Sequence, residues 1–374
     1  MNQVIAIFRK EFLQLRRDPR LIVFIIMMPV VFLILFGLVL KLEPANLRMA
    51  FVDQEHSFFS NEVRTNIWSE GYFQLYEVNS KKDLIEEIRT GRAKAGLFIP
   101  NTFTSELTEN QQPHLTMFVD GTMPSLATSM ESNATVITSN DTQQLMYFTN
   151  PDAENVVIPE EPFILDFEVL FNPEKYEPWF FLPGVVGVLI MQIALILTSI
   201  AIVREKETNT LEQLLVSPIS KLGFVLGKTL PYLTIAFIDF YFILGLGWWV
   251  FDLPWPVSHL LLLLLVTVFV FGLIALGLAI STVSQTQQQA VFLAIFFLLP
   301  SILLSGFIFP LEAMPFYIRP LSYLLPFTYF VEAIRGILLK GNSFSELFVN
   351  FAALSGFAVA FTLVSIVRFR KTID

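Results

Sequence analysis

The sequence predicts an α-helical polytopic membrane protein with six transmembrane helices and an inserted α+β domain outside the cytoplasm. Its 374 residues are 54% hydrophobic and include 39 Phe, yet the formal net charge is −9. A soluble protein this apolar would lack a polar shell. The composition and the charge are compatible if membrane-spanning and soluble segments alternate along the chain.

The charges are distributed unevenly along the chain. Residues 41–178 hold 9 Lys and Arg against 22 Asp and Glu, a net charge of −13. The remaining residues hold 15 basic and 11 acidic side chains, a net charge of +4. We therefore expect an acidic soluble domain inserted into a mildly basic membrane protein.

The first predicted transmembrane helix covers residues 21–40, LIVFIIMMPVVFLILFGLVL, which carry no charge. A helix of this length crosses a hydrocarbon core of about 30 Å. The run is too long for a cleaved signal peptide, and no small-residue cleavage site follows it. We therefore expect it to remain as the first span.

Residues 1–20 are expected to form an amphipathic helix in the cytoplasmic interface of the membrane. Phe8 and Phe12 recur at helical spacing, while Arg9 and Arg16 lie on other faces of the same helix. A basic flank without helical structure would explain the charges but would not explain the periodicity.

Five more apolar runs follow the acidic block, so six spans are predicted. They cover residues 179–203, 231–251, 258–281, 289–309 and 345–367. Twelve Lys and Arg flank one set of span ends, and only three flank the other set. The positive-inside rule then places both termini in the cytoplasm and the acidic block outside. The predicted location is therefore a cytoplasmic membrane.

The acidic block, residues 41–178, has the size and pattern of one compact α+β domain. Short apolar runs at 47–55, 73–78, 95–100 and 115–121 indicate strands, and residues 81–92 and 125–146 indicate helices. Residues 151–178 contain five prolines, which favours an extended return to the second span.

The segment 204–228 ends in GFVLGKT, which looks like a nucleotide-binding loop. A P-loop places four residues between its two glycines and follows a strand. Here only three residues separate Gly223 from Gly227, and the run leads into a membrane span. We therefore interpret this ending as the beginning of a transmembrane helix, with Lys228 at the cytoplasmic interface.

The earlier part of the same segment predicts a short amphipathic helix on the cytoplasmic side. Thr210 and Gln213 form a capping box, three leucines lie on one helical face, and Pro218 ends the helix. The carboxylates before it could contact a partner protein. The residues assigned to this short helix and its flank are Glu205, Glu207, Thr210, Leu211, Gln213, Leu214 and Leu215.

Two further features of the apolar half are candidates for function or packing. Asp239 lies within the third span, where a carboxylate costs about 2.5 to 3.5 kcal/mol. It is a candidate for a substrate path together with Gln192, or alternatively a polar contact between helices. Residues 310–341 contain four prolines and predict outer re-entrant helices, with Glu332 and Arg335 as a structural ion pair.

The sequence gives no pattern typical of an enzyme. The chain has no Cys, and its three His are far apart in unlike contexts, so a thiolate or His-rich metal site is excluded. The external block shows no Ser-His-Asp set and no pair of carboxylates suited to acid–base catalysis. No catalytic residue, metal or cofactor is therefore assigned to this chain.

With these residues in view, the whole chain resembles the permease subunits of ABC exporters of the ABC-2 type, in the subgroup with a large external domain. The most specific matches are VREKETNTLEQLLVSPIS, QTQQQAVFLAIFFLLPSILLSGFIFPLEAMP and LPFTYFVEAIRGILLKG. One departure is Asn209, where the family commonly has Gly; Asn tolerates a left-handed backbone.

This resemblance implies a dimer of this chain or of two related permeases, with each permease joined to a separate subunit that binds and hydrolyses ATP. It implies that residues 210–216 dock on that ATPase, with the N-terminal helix as a second contact. An external domain of this kind recruits a periplasmic adaptor in some relatives. No nucleic acid is expected as a partner.

The expected function is outward transport of amphipathic or hydrophobic small molecules. Export of a polysaccharide or of a lipid-linked substrate is the alternative within the class. A proton-coupled secondary transporter centred on Asp239 and a membrane-anchored receptor are alternatives from other classes. The receptor alternative predicts one or two anchoring spans, not six.

Overall fold

The computed structural model describes residues 47–69, 73–109, 111–132, 163–207 and 221–368. They form a mixed β-sheet with flanking helices, followed by a bundle of long apolar helices. We name residues 47–170 the sheet unit. The predicted N-terminal helix and first span lie outside the described residues.

The sheet unit alternates strands and helices. Its elements are β1 (Leu47–Asp53), α1 (Phe58–Ser69), β2 (Phe73–Glu77), α2 (Lys81–Arg89), β3 (Ala95–Ile99), α3 (Phe103–Thr108), β4 (His114–Asp120), α4 (124–132) and β5 (Ile164–Leu170). The strand order is β2-β1-β3-β4-β5. Strands β3 and β4 pair antiparallel, and the other neighbours pair in parallel.

Strand β1 lies inside the sheet with both faces covered. Met49 and Phe51 belong to the apolar core on one face, and Ala50 and Val52 belong to the core on the other. Successive side chains of a strand point to opposite faces, so a strand covered on both sides is apolar throughout. This explains why LRMAFVD has little polar alternation.

The observed sheet unit matches most of the predicted elements. All four predicted strands occur, and α2 begins where Ser80 accepts a hydrogen bond from the Asp83 N–H. The predicted extended return differs from the structure, because residues 164–170 join the sheet as β5 alongside β4. Alternation of apolar and acidic residues in ILDFEVL was the available signal for this strand.

Five helices among the described residues are long and apolar enough to cross a membrane. They are α5 (Glu177–Glu207), α6 (Lys221–Phe251), α7 (His259–Val283), α8 (Gln287–Leu304) and α11 (Phe348–Arg368). They correspond to the second to sixth predicted spans.

Between α8 and α11 the chain forms short elements, which together we name the short-helix segment, residues 305–347. It contains a 3-10 turn (Leu311–Ala313), α9 (Arg319–Ser322), α10 (Pro326–Arg335) and a π-helical turn (Gly336–Lys340). None of these elements is long enough to cross a membrane.

Helix α7 lies at the centre of the bundle, packed on α5 and α11. The ring of Phe269 stacks on that of Phe330 in α10, with centroids 4.1 Å apart. A Cβ placed on Gly187 of α5 would lie 2.5 Å from the Phe330 ring, so this glycine permits the close approach. Apolar packing and small residues therefore hold the bundle together.

Candidate functional site

Three ion pairs join the sheet unit to the short-helix segment, and we name this contact the junction. In the two more buried pairs, the Nζ atoms of Lys94 and Lys340 lie 3.1 and 2.5 Å from a carboxylate oxygen. The sheet unit contributes two cations and one anion, and the short-helix segment contributes the opposite charges. The pairs are Arg89 with Glu346, Lys94 with Glu312, and Asp120 with Lys340.

Strand ends position the charges of the sheet unit. Lys94 precedes β3, and its N–H donates to the Arg48 carbonyl in β1 at 2.9 Å. Asp120 ends β4, and its N–H donates to the Lys94 carbonyl at 3.0 Å. Thr122 donates its N–H and its hydroxyl to Asp120 Oδ1, which fixes the carboxylate. The two opposite charges are therefore adjacent at one edge of the sheet.

Lys340 is the last residue of the π-helical turn in the short-helix segment. The following residue, Gly341, has φ of 64°, a left-handed conformation that glycine adopts without strain. Lys340 Nζ also donates to the Ile88 carbonyl at 3.0 Å, in the last turn of α2. One ammonium group thus contacts both a buried carboxylate and the C-terminal end of a helix, where positive charge is favourable.

Opposite charges favour the ionised forms of three buried junction groups, whereas burial lowers the pKa of Lys340 in spite of the nearby Asp120 carboxylate. Burial alone would raise the pKa of Asp120, but the ammonium groups of Lys340 and Lys94 outweigh it and hold this pKa below its usual range. Burial would also raise the pKa of Glu312, which the Lys94 charge keeps low. Burial would lower the pKa of Lys94, yet Glu312 and Asp120 raise it well above its usual range.

Beside the junction, Arg335 connects α10 to α5 and to the residues that follow α8. Its guanidinium donates to the Phe180 carbonyl in α5 at 3.0 and 3.1 Å, and to the carbonyls of Gly306 and Phe307 at 2.8 and 3.1 Å. It also lies 3.9 Å from the centroid of the Phe180 ring. The carbonyls after α8 lie at the negative end of its helix dipole, which favours a cation there.

The predicted ion pair between Glu332 and Arg335 is wrong. Arg335 is buried and donates to main-chain carbonyls, whereas Glu332 lies on the exposed side of α10 and accepts from Asn350 Nδ2 at 3.0 Å. A separation of three residues permits a pair on a helix surface. Here the buried carbonyls compete for the guanidinium, so the two side chains point to different surroundings.

A cavity of about 110 Å³ lies at the junction. Its lining includes charged residues of the pairs together with Ser305 and Asn342. In the described part of the chain, four buried side-chain polar atoms make no hydrogen bond, and three line this cavity: Ser305 Oγ, Glu312 Oε2 and Asn342 Oδ1. The cavity therefore combines apolar surface with charged side chains and three unpaired polar atoms.

The fourth such atom is Oδ2 of Asp239, within α6. Gln192, the other predicted residue of a substrate path, is exposed on α5. The structure therefore places Asp239 in an apolar helix without a hydrogen-bond partner for this oxygen among the described residues. The predicted role of both residues in a substrate path stays a prediction.

The predicted coupling segment is only partly described. Glu205 and Glu207 lie in the last turn of α5, and Glu207 accepts from the Gln287 N–H at 2.9 Å, at the start of α8. Thr210, Leu211, Gln213, Leu214 and Leu215 lie outside the described residues, as do Phe8, Arg9, Phe12 and Arg16. Residues 223–229 lie inside α6, so their backbone is helical and does not form a phosphate-binding loop.

Sequence reasoning missed the ion pairs of the junction. Lys94 and Asp120 each adjoin an apolar strand, and Lys340 follows the apolar run GILL. A lone charge beside such runs is a weak signal, since it is equally typical of a solvent-exposed strand or helix end. Only the packing of the sheet unit on the short-helix segment brings these charges together.

Comparison with known proteins gives consistent matches over nearly the whole chain. Residues 19–367 match the family model described as ABC-2 family transporter protein. The chain is 27% identical over 376 residues to the probable multidrug ABC transporter permease YbhS of Escherichia coli strain K12, covering 100% of this chain and 98% of that protein.

Two further relatives extend this similarity. The probable multidrug ABC transporter permease YbhR of the same strain is 28% identical over 344 residues, which covers 90% of each chain. ABC transporter G family member 20 of Dictyostelium discoideum is 23% identical over 370 residues, which covers 98% of this chain but only 50% of that protein.

Proposed function

Because this chain belongs to the ABC-2 family of transporter proteins, we propose that it is the permease subunit of an ATP-driven exporter. The observation that carries this proposal is the family match over residues 19–367, which includes the sheet unit and all five apolar helices. A permease with an external domain would contain both the sheet unit and the apolar helices.

The proposed substrates are amphipathic or hydrophobic small molecules, moved outward from the cytoplasm or the inner leaflet. Two relatives are named as multidrug ABC transporter permeases, and this supports a substrate class of that kind. The apolar bundle agrees with it, since a path through these helices would favour molecules that partition into the membrane.

ATP hydrolysis is proposed to take place on a separate subunit. The chain accounts for half of the Dictyostelium relative, so that relative holds as much sequence again beyond its permease-like part. In the present protein, the only run that looks like a nucleotide loop, residues 223–229, is helical. We propose that residues 210–216 and the N-terminal helix contact the ATPase, and that two permeases form a dimer in the inner membrane of a bacterium.

The proposed orientation places the sheet unit and the short-helix segment outside the cytoplasm. Helix α5 begins directly after the sheet unit, and four successive crossings by α5, α6, α7 and α8 return the chain to the same side. The short-helix segment must then lie on the side of the sheet unit, and the junction agrees with this path. The basic flanks described above favour the opposite side as cytoplasmic.

Purification of the tagged chain from its native membrane tests this proposal. We expect an ATP-hydrolysing subunit to co-purify, and Leu214→Asp to lower the retained ATPase activity about tenfold by placing a charge in a docking face. Ser220→Asp, which adds the same charge at a polar position beyond Pro218, serves as the matched control. The proposal would be contradicted if no ATPase subunit co-purified with the chain. It would also be contradicted if Leu214→Asp exported substrate at the native rate.

A further inference from the structure

Asp239 is a carboxylate within the apolar helix α6. It lies six residues into the apolar stretch Leu233–Phe251, so about 9 Å of helix separates it from the end of that stretch nearer the cytoplasm in the proposed orientation. Its Oδ2 atom is enclosed, yet within the described chain it makes no hydrogen bond. A carboxylate at this depth requires a polar or charged partner.

Asp239 borders the face of α6 that no other described element covers. Ile235, Ile238 and Phe242 are exposed along this face, with Ile238 66% and Phe242 63% exposed. Asp239 follows Ile235 by four residues and precedes Phe242 by three, so it lies along the same side of the helix. The opposite side, with Phe240 and Leu244, is buried against the bundle.

The first predicted span cannot supply the missing partner. Residues 21–40 contain only Leu, Ile, Val, Phe, Met, Pro and Gly, so none of their side chains carries a positive charge or a hydrogen-bond donor. Even if this span covers the exposed face of α6, Asp239 would stay without a partner side chain. The partner is therefore a group outside residues 21–40, and a bound molecule is one source of it.

We propose that Asp239 binds the positive charge of an exported lipophilic cation, on the exposed face of α6. This inference rests on the proposed function and names a substrate class for it. The chemistry of the face matches such a ligand, because a single carboxylate is set in an apolar surface. Phe242, three residues further along the same side of the helix, adds an exposed aromatic ring near the carboxylate, and aromatic rings attract cations.

A pair of dyes that differ by one trimethylammonium group tests this inference. The complete transporter, permease with its ATPase subunit, is reconstituted in liposomes and supplied with ATP. The cationic probe is trimethylammonium-diphenylhexatriene, and the neutral probe is its parent diphenylhexatriene. We expect Asp239→Asn to lower transport of the cation about tenfold or more, because the ion pair is lost, and to leave the neutral dye unchanged.

Two other variants control for structure. Asp239→Glu keeps the charge and should retain transport of the cation. Asp252→Asn makes the same substitution beyond the end of α6, where Asp252 is exposed with φ of 50°, a conformation that Asn tolerates. It should transport both dyes as the native protein does.

The other outcomes overturn the inference in distinguishable ways. If Asp239→Asn lowers the transport of both dyes equally, Asp239 supports the fold. If it lowers the transport of neither dye, the carboxylate does not bind the cation. The same conclusion holds if the native complex transports only the neutral dye. If Asp239→Asn separates the permease dimer in native mass spectrometry, Asp239 pairs with a second copy. None of these results removes the proposed function, which is tested separately by co-purification of an ATPase subunit and by the Leu214→Asp variant.

Discussion

The junction and the core of the helical bundle are both buried, yet different interactions hold them. The bundle core contains stacked rings such as Phe269 on Phe330, and its close contacts depend on small residues. The junction instead contains buried ion pairs, with Asp120 0% and Lys340 8% exposed. Apolar packing tolerates many pairs of surfaces, whereas a buried charge tolerates only the opposite charge at one place.

This difference indicates what each region determines. In the bundle, interchangeable apolar side chains give cohesion. In the junction, Lys94 and Asp120 of the sheet unit face the opposite charges of Glu312 and Lys340, so both pairs form in this relative orientation of the two parts. Buried pairs contribute little net stability but are costly to break, so they select one arrangement against others. The predictions below separate these two kinds of contact.

Breaking one buried pair of the junction should have the largest effect. Lys340→Met leaves the carboxylate of Asp120 buried without its cation, and we expect a loss of about 4 kcal/mol in the free energy of unfolding. The measurement is chemical denaturation of the purified protein in one detergent, followed by tryptophan fluorescence. Adding Asp120→Asn to Lys340→Met should restore part of the loss, because no uncompensated charge is then buried.

The control for this variant is Arg92→Met. Arg92 pairs with Glu87 inside the sheet unit, and its side chain is 55% exposed. Exposed pairs contribute about 0 to 1 kcal/mol, so this variant should be close to the native protein. An equal loss in the two variants would show that burial at the junction has no special role.

Removing a stacked ring from the bundle should cost somewhat less. Phe330→Ala leaves a cavity beside Phe269 and Gly187, and we expect a loss of about 3 kcal/mol, measured in the same way. Since no charge is involved, the loss should be the same at about pH 5 and pH 8. A loss that varies with pH would mean that the core and the junction are energetically coupled.

Among the three buried sites, the smallest effect should come from Glu312→Gln, which removes a charge but keeps an oxygen that can accept from Lys94. We expect a loss of about 2 kcal/mol at neutral pH. The pKa of Glu312 lies below its ordinary value of 4.5 in the folded protein, so the native pair stabilises above that pH. Its contribution is lost as the pH falls through the folded value.

The matching measurement is the difference in unfolding free energy between Glu312→Gln and the native protein, followed from about pH 7 to pH 3. This difference should shrink on acidification, because only the native protein has this carboxylate to protonate. A constant difference over that range would show that the charge of Glu312 does not stabilise the junction.

The sequence was sufficient to predict the apolar helices and most of the sheet unit. Long uncharged runs specify spans whatever their neighbours are, and LRMAFVD or AGLFI indicates a buried strand by composition alone. Strand β5 was harder to predict, because prolines surround it and its pairing with β4 depends on residues about 50 positions away in the sequence.

For the candidate site, the sequence identified single residues but not their partners. Asp239 stood out because a carboxylate in an apolar run is costly wherever that run packs. Arg335 also stood out, but its predicted partner Glu332 was wrong, since the helix spacing could not show that Arg335 faces the carbonyls of Phe180 and Gly306.

The sequence by itself therefore determined the properties that depend on neighbouring residues: the apolar runs, the acidic block between them and the carboxylate of Asp239 within an apolar run. Only the tertiary structure decided which charges meet. Lys94 and Glu312 are more than 200 residues apart in the sequence, and their pairing follows from the packing of a strand end against a 3-10 turn. Such contacts depend on the folded path of the whole chain, which no local pattern of residues specifies.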